Sequence, residues 1–271
     1  RDSEWNYSDI PHLNYVHTKV DGHCFHSDSE RIINLFMQQL GPFSIPVANY
    51  IEHTDRNQHR YWMNIVGMVV GVTTTHNSFE GGKSETLTEY NFYYRNFIEK
   101  IFAFFIKQAT KKNYKVLMSE DVPMRNQRGL LRNLGIKFST DKKNKIGFEE
   151  TADLTIKNVD AKGYFKSKKE LSFDLNDKLG TYHINEWFIT IASFENKISI
   201  LGNICQHEGA KLNYDYSSEE QTCLAACPWH GKRIAPLITL NKTRTKIYKF
   251  NYLNQNFEAK VSNCHLFLKP I

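Results

Sequence analysis

The chain has 271 residues, 41% of them hydrophobic, which is enough for two modest domains of roughly 100 to 200 residues each. This composition excludes a fibrous or a disordered protein. Lys and Arg number 35 against 29 for Asp and Glu, and the resulting charge of +6 is diffuse apart from a lysine-rich stretch at 157–169, so nucleic-acid binding is not indicated.

The apolar segments are too short to cross a membrane. The most apolar stretches, Asn64–Val72 and Ile101–Ile106, fall far below the roughly 20 residues that span a bilayer, and no apolar signal segment opens the chain. We therefore expect a soluble, cytoplasmic protein. The five cysteines are an odd number, and two have histidine neighbours at ligand spacing, which favours metal chemistry over a disulfide framework.

The first part of the chain predicts an antiparallel sheet covered by helices. Apolar and polar residues alternate in Ile45–Tyr50, Arg60–Thr75 and Glu85–Tyr94, which predicts half-buried strands. Helical spacing follows from Asn91 to Lys112, and a second helix is predicted over Val122–Leu134. The apolar face expected to lie against the sheet consists of Phe97, Ile98, Ile101, Phe102, Phe105 and Ile106.

The later part predicts a small all-β domain. Between residues 139 and 169 the composition turns to Lys, Asp, Asn and Gly, which indicates a solvated connection. Short alternating runs follow at Trp187–Phe194, Lys197–Leu201 and Lys246–Leu253. The fold class is thus α+β. Its predicted segments are a first domain at 1–150, a linker at 151–175 and an all-β domain at 176–271.

Two short segments of the all-β domain each pair a cysteine with a histidine. They are Cys205-Gln206-His207 and Cys227-Pro228-Trp229-His230-Gly231, with nineteen residues between them. Two thiolates and two imidazoles could hold tetrahedral zinc, but zinc sites usually pair Cys with Cys and His with His at short spacing. One Cys and one His in each loop suits a [2Fe-2S] cluster whose thiolates hold one iron and whose imidazoles hold the other.

With these two loops, the sequence resembles the Rieske family over about residues 176–271. The resemblance implies a [2Fe-2S] cluster bound by Cys205, His207, Cys227 and His230. High-potential respiratory Rieske proteins carry an additional disulfide-forming Cys in each loop, where this chain has Ala210 and Trp229, so the resemblance implies a low-potential cluster. Cys223 and Cys264 have no motif partner and are predicted to be buried as small apolar residues.

A second candidate metal site lies near the N-terminus, in the pattern Asn6-x-x-Asp9-x-x-His12-x-x-x-x-His17. Positions five apart on an ideal helix diverge by roughly 140°, so the two imidazoles could reach one metal only if the segment bends or unwinds. Two neutral histidines and a carboxylate form the facial triad of non-heme Fe(II) oxygenases. The acidic pair Glu120-Asp121 follows a strand-like segment at Tyr114–Met118 and comes before the second predicted helix. It offers candidates for the third ligand.

Together these elements resemble the catalytic domain of Rieske non-heme iron oxygenases, especially the O-demethylase-like monooxygenases, over roughly residues 1–135. The resemblance implies a helix-grip-like iron-binding domain. The implied ligands of a mononuclear Fe(II) are His12, His17 and Asp121. Glu120 is the competing carboxylate. Asp9 would hydrogen-bond to a ligand histidine and bridge electrons from the cluster, with Asn6 as a neighbour of this site.

The resemblance implies a terminal oxygenase that uses O2 to hydroxylate, demethylate or desaturate a small organic substrate, with monooxygenase activity favoured over dioxygenase activity. No flavin or nicotinamide fingerprint is visible, so a separate reductase or ferredoxin must supply the electrons. The family also implies a homotrimer with head-to-tail electron transfer. The lysine-rich stretch could steer an acidic donor or be a solvated connection.

The domain order departs from the family, in which the Rieske domain comes first. Three explanations are open: an N-terminally trimmed chain with an incomplete first domain, a permuted gene, or a second cluster domain upstream.

Two other functions are also open. One is a Rieske-type electron carrier or redox sensor with an iron-free N-terminal domain, and the other is a zinc-stabilised interaction protein.

Overall fold

The computed structural model describes residues 2–8, 12–18, 20–27, 31–40, 42–55, 57–65, 67–80, 83–139, 156–176, 178–217 and 222–271. These residues form two compact units. The first extends to Gly129, and the second comprises Leu130–Ser139 and the described residues from 156 onwards. Within the described residues, every helix is too short or too polar to span a membrane.

A six-stranded antiparallel sheet forms the centre of the first unit, with each strand hydrogen-bonded to the next one along the chain. Its strands are β1 Val20–Ser27, β2 Arg31–Leu40, β3 Phe43–Asp55, β4 Gln58–Ile65, β5 Met68–Ser78 and β6 Ser84–Tyr93. Along β5 the even-numbered residues from Met68 to His76 are buried, while Val69 on the opposite face is exposed. One face of the sheet is therefore covered, as alternation of apolar and polar residues predicts.

Two helices precede this sheet in the chain, α1 Asp2–Ser8 and α2 Leu13–Val16, and one helix follows it, α3 Phe97–Asn133. The third is a single 37-residue helix that includes Pro123. The prediction of two helices with a strand-like segment at Tyr114–Met118 between them is therefore wrong. The reason is that residues of this segment recur with helical spacing of three or four positions along one face of α3. The residues of that face are Ile106, Thr110, Asn113, Tyr114, Leu117, Met118 and Asp121.

The apolar face predicted for the start of α3 packs against the sheet only along a narrow stripe. Ala103 and Ile106 are buried in a cluster with Val47, Met68 and Val70. The rest of the predicted face is 45% to 74% exposed, namely Phe97, Ile98, Ile101, Phe102 and Phe105. The apolar face is wider than the stripe that reaches the sheet, so this part of the prediction is wrong.

The second unit consists mostly of short antiparallel strands, and the β structure predicted for it is confirmed. The strands are β7 Lys137–Phe138, β8 Val159–Asp160, β9 Leu171–Asp174, β10 Gly180–Ile184, β11 Ile189–Ser193, β12 Lys197–Gly202, β13 Asn213–Ser217, β14 Thr222–Ala226, β15 Arg233–Ile234, β16 Ile238–Asn241, β17 Ile247–Tyr252, β18 Gln255–Ser262 and β19 His265–Pro270. The sheets among the described residues have the orders β10-β11-β12-β16, β13-β14-β15, β17-β18-β19-β9 and β7-β8. Helix α4 Lys162–Phe165 and a 3₁₀ turn at Asn185–Trp187 complete this unit.

The predicted linker at 151–175 is folded in its described part, 156–175. Val159, Ala161 and Phe165 are fully buried in the core of the second unit. Strand β9 pairs with β19. The polar composition of this stretch suggested a solvated connection, but its few apolar residues are the ones that fill the core. The second unit therefore begins before residue 176.

A buried ion pair connects α1 to α3. The Arg128 side chain is fully buried, with Nε 3.0 Å from Asp2 Oδ1. Its guanidinium carbon lies 4.0 Å from the centre of the Trp5 ring. Because α1 also carries Asn6, these contacts fix the position of a residue that the sequence placed near the candidate metal site.

Replacing Arg128 with methionine should lower the free energy of unfolding of the first unit by about 3 kcal/mol, because Asp2 would lose its largely buried partner. Urea unfolding measures the change. Arg95→Met is the matched control, since Arg95 pairs with Glu99 on the exposed surface and its loss should leave stability nearly unchanged. Equal stabilities of the two variants would contradict the role given to Arg128.

Candidate metal centres

Three buried side chains from separate segments of the first unit converge on one point. His12 precedes α2, His17 follows it, and Asp121 lies on α3. His12 Nε2 lies 3.2 Å from His17 Nε2 and 3.5 Å from Asp121 Oδ1. The same Asp121 oxygen lies 3.3 Å from His17 Nε2. The structure thus brings together the three residues that the resemblance implied as iron ligands.

The backbone between the two histidines explains how residues five apart can meet. His12 has helical backbone angles, whereas His17 is extended, with φ −92° and ψ 129°. Helix α2 therefore ends after only four residues, at Val16. This break removes the divergence of roughly 140° that a continuous helix would impose on the two imidazoles.

The distances between the three ligand atoms fit a single metal ion. Bonds of about 2.1 Å that meet at angles of about 90° to 109° place ligand atoms about 3.0 to 3.4 Å apart. The observed separations are 3.2 to 3.5 Å. Two imidazoles and one carboxylate are a donor set that Fe(II) and zinc both accept. The residues present therefore fit a mononuclear metal with open coordination positions.

Glu120 lies behind His17 and away from the point of convergence. Its Oε2 is 2.9 Å from His17 Nδ1, and its Oε1 accepts a hydrogen bond from the Thr18 hydroxyl at 2.9 Å. A proton held on Nδ1 by this carboxylate leaves Nε2 of the same ring free to bind a metal. The geometry therefore favours Asp121 as the ligand and Glu120 as the residue that orients His17.

Asn6 and Arg125 contact the other side of the carboxylate. Asn6 Nδ2 donates to Asp121 Oδ1 at 3.4 Å, and Asn6 Oδ1 accepts two hydrogen bonds from Arg125, at 2.8 and 3.1 Å. Arg125 Nη2 also lies 3.4 Å from Asp121 Oδ2. Asn6 is thus a neighbour of the site, as the resemblance implied. Asp9 lies outside the described residues.

The surroundings keep Asp121 ionised. Burial by itself would raise the pKa of Asp121, but the hydrogen bonds from His12 and His17 and their charge outweigh burial and hold the pKa well below its usual range. Burial would likewise lower the pKa of His17, but Asp121 and Glu120 raise it above the ordinary value. A carboxylate must be ionised to bind a metal ion.

The three converging residues line a cavity of about 210 Å³ between the covered face of the sheet and α3. Most of its lining is apolar, and includes Phe36, Val47, Ile51, Met63, Val72 and Leu117. Tyr90 also lines it, and burial together with the nearby Tyr114 raises the pKa of its hydroxyl, which stays neutral. The apolar cavity beside the candidate metal site suits an organic ligand.

The two cysteine–histidine loops of the second unit also meet. The first follows β12 and the second follows β14. The four side chains are at most 3% exposed, and they are Cys205, His207, Cys227 and His230. The ring centres of His207 and His230 are 4.9 Å apart, and Cys227 Sγ is 4.0 Å from His230 Nδ1.

The two thiols of these loops interact directly. A hydrogen bond from Cys227 lowers the pKa of Cys205 to about 6, with help from the backbone N–H groups of His207 and Glu208. The pKa of Cys227 is raised by Cys205 and by burial. A thiolate is the form that binds iron, so a low pKa at this position suits cluster binding.

Tyr252 fixes the backbone just before Cys205. Its fully buried hydroxyl accepts a hydrogen bond from the N–H of Ile204 at 3.0 Å and donates one to the carbonyl of Phe188 at 2.8 Å. The ring thereby ties the first loop to the segment before β11. Sequence reasoning missed Tyr252, because nothing in the motif points to a residue nearly fifty positions later.

The first loop is also fixed by a glycine and a buried carboxylate. Gly209 has φ +86°, and a Cβ at this position would lie 3.0 Å from Leu131 and 3.1 Å from Phe138. Glu208 is buried and accepts a hydrogen bond from Asn158 at 2.6 Å. A larger residue at position 209 would be strained both by its backbone angle and by these neighbours.

Ala210 and Trp229, at the positions of the respiratory disulfide, are both buried. Cys223 is free and buried, as predicted. The same prediction is wrong for Cys264, which is exposed. Cys264 and Asn263 form the turn between β18 and β19 with positive φ angles, and a turn residue of this kind lies at the surface.

A family model of the Rieske [2Fe-2S] domain matches residues 164–239, which include both cysteine–histidine loops. The chain therefore contains a Rieske [2Fe-2S] domain, and such a domain implies a [2Fe-2S] cluster and a role in electron transfer. The match begins at residue 164, in agreement with the folded structure of the predicted linker. Comparisons with curated proteins and with solved structures found no match.

Replacing Tyr252 with phenylalanine should lower the free energy of unfolding of the second unit by about 1 to 3 kcal/mol, because the buried N–H of Ile204 would lose its partner. Thermal unfolding measures the loss. Tyr248→Phe on the same strand is the control, since the Tyr248 hydroxyl makes no hydrogen bond within the described residues. Equal losses of unfolding free energy in both variants would show that the Tyr252 hydroxyl does not contribute to stability.

Proposed function

We propose that the chain is the terminal oxygenase of a Rieske non-heme iron system. It would use O2 and externally supplied electrons to hydroxylate, demethylate or desaturate a small organic substrate. The observation that carries this proposal is the convergence of His12, His17 and Asp121 at the wall of an apolar cavity, in a chain that also contains a Rieske domain. An electron carrier needs only the cluster, so it gains nothing from a second buried ligand set.

Iron bound by the triad would supply activation of dioxygen, and a [2Fe-2S] cluster would supply single electrons. The side chains of the first unit have separate tasks in this scheme. Glu120 orients His17 through Nδ1, while Asn6 and Arg125 hold the Asp121 carboxylate. The apolar walls of the cavity hold an organic substrate beside the triad and exclude water from it.

The remaining parts of the proposal rest on the sequence resemblance. The first unit would be a helix-grip-like domain, and Asp9, outside the described residues, would bridge electrons between the two centres. Ala210 and Trp229 support a low-potential cluster, and a separate reductase or ferredoxin would be the donor. The homotrimer and the cytoplasmic location stay predictions, although the exposed apolar side chains at the start of α3 offer a contact surface for an assembly.

Iron analysis of anaerobically prepared protein tests the central claim. The chain should contain about three irons, two in the cluster and one in the triad. Asp121→Asn should reduce this to about two while the visible absorption of the cluster is retained, because a neutral amide is a weaker ligand than a carboxylate. Cys205→Ser should instead abolish that absorption.

Two irons in the wild-type protein, unchanged in Asp121→Asn, would support a Rieske electron carrier with an iron-free N-terminal domain. Zinc without iron would point to a zinc-stabilised interaction protein.

Glu120→Gln tests the orientation of His17. The substitution should weaken metal binding at the triad about 10- to 100-fold, because an amide oxygen is a poorer acceptor for the Nδ1 proton than a carboxylate. Competition with a chelator, followed on the triad iron, measures the change. The control is Glu85→Gln, an exposed glutamate on β6. Equal metal affinities in the two variants would show that Glu120 has no role in metal binding at the triad.

A further inference from the structure

Two asparagines lie side by side in the wall of the cavity. Asn34 on β2 and Asn49 on β3 are paired directly across the two strands. They are 2% and 6% exposed, and both line the cavity that holds the triad. Opposed residues of antiparallel strands point to the same face, with Cβ atoms about 4.5 to 5.5 Å apart. One ligand group could therefore contact both carboxamides.

The carbonyl oxygens of these two asparagines lack partners. Oδ1 of Asn34 and Oδ1 of Asn49 are buried and accept no hydrogen bond within the described residues. Leaving a buried acceptor without a donor costs stability, and most buried polar atoms are therefore paired. A ligand that brings a donor into the cavity would recover this cost.

Several other polar side chains of the cavity lie within hydrogen-bond distance of each other or of the backbone. Thr88 lies within hydrogen-bond distance of Thr74 at 3.5 Å and of the Tyr114 hydroxyl at 3.3 Å. Asn113 donates to the carbonyl of Gln39 at 3.3 Å. The asparagine pair differs from these four side chains, because its two carbonyl oxygens are open to a donor from a ligand.

The charge of the lining limits the ligand further. No lysine or arginine is among the described residues that line the cavity, and the acidic and histidine side chains there are the three of the triad. A metal ion at the triad would be the one cation there, and the proposed function reserves its open positions for O2. Away from the triad, a carboxylate, sulfonate or phosphate would lose its hydration against an apolar wall without gaining a cationic partner. The cavity therefore suits an uncharged molecule.

The volume sets the size of that molecule. An apolar cavity of about 150 Å³ in another protein holds benzene. The 210 Å³ found here therefore has room for one ring with a small substituent.

We propose that this cavity binds an uncharged monocyclic compound that carries a hydroxyl or amide N–H, and that Asn34 and Asn49 recognise this donor. The inference rests on the proposed function, since it defines the substrate class of the same site. The two asparagines are specificity residues and not ligands of the metal.

Three probes of similar size test this inference on the full chain with its cluster: para-ethylphenol, ethylbenzene and para-methylbenzoate. Calorimetric titration gives the three dissociation constants. The phenol should bind more tightly than ethylbenzene, and para-methylbenzoate should bind most weakly. In Asn34→Leu and in Asn49→Leu the preference for the phenol over ethylbenzene should fall about tenfold, because the acceptor is lost.

The same variants have a second readout. Replacing an unpaired buried amide with an apolar side chain of similar size should raise the melting temperature of the ligand-free protein. The control is Asn64→Leu, the same substitution on the exposed face of β4, which should leave the ligand preference unchanged.

The inference is overturned if the preference for the phenol is absent, if both leucine variants keep it, or if para-methylbenzoate binds as tightly as the phenol. A fall in the melting temperature of both variants would also overturn it, because the asparagines would then be structural. Iron counted in the same samples separates the two proposals. Selective binding without triad iron would refute the oxygenase alone, whereas triad iron without selectivity would refute the substrate class alone.

Discussion

A carboxylate in an apolar cavity is stable only if other groups replace the hydration it has lost, and in the first unit this requirement falls on Asp121. The groups that meet it come from three helices: Asn6 from α1, His12 and His17 from the two ends of α2, and Arg125 from α3 itself. Each of these helices must therefore be in its folded position before the Asp121 carboxylate has all of its hydrogen-bond and ion-pair partners. The constraint that stabilises the charge also arranges three candidate ligand atoms around one point.

The two sites differ in how far the sequence could define them. The cluster loops keep all four implied ligands within two short segments, so the motif predicts Cys205, His207, Cys227 and His230 without knowledge of the fold. The N-terminal site joins residues more than a hundred positions apart, and spacing alone left Glu120 and Asp121 as alternatives. The contact between Glu120 and His17 Nδ1 favours Asp121 as the ligand, and such a contact exists only in three dimensions.

The errors in the predicted fold have a common cause: local composition does not determine what a segment packs against. Tyr114–Met118 is rich in apolar residues and looks like a strand, but its side chains recur with the period of α3. The apolar residues at the start of α3 predict a buried face, yet the sheet covers only Ala103 and Ile106 there. The lysine-rich stretch looks solvated, although Phe165 within it is fully buried.

The topology of the first unit also has a kinetic consequence. Each strand of its sheet pairs with its immediate neighbour in the chain, so the sheet can form through short loops that close at little entropic cost. The contact between His17 and Glu120 instead closes a separation of 103 residues. The candidate metal ligands are therefore expected to come together late in folding, after the sheet has formed. Metal capture at this site would then report that the last docking step is complete.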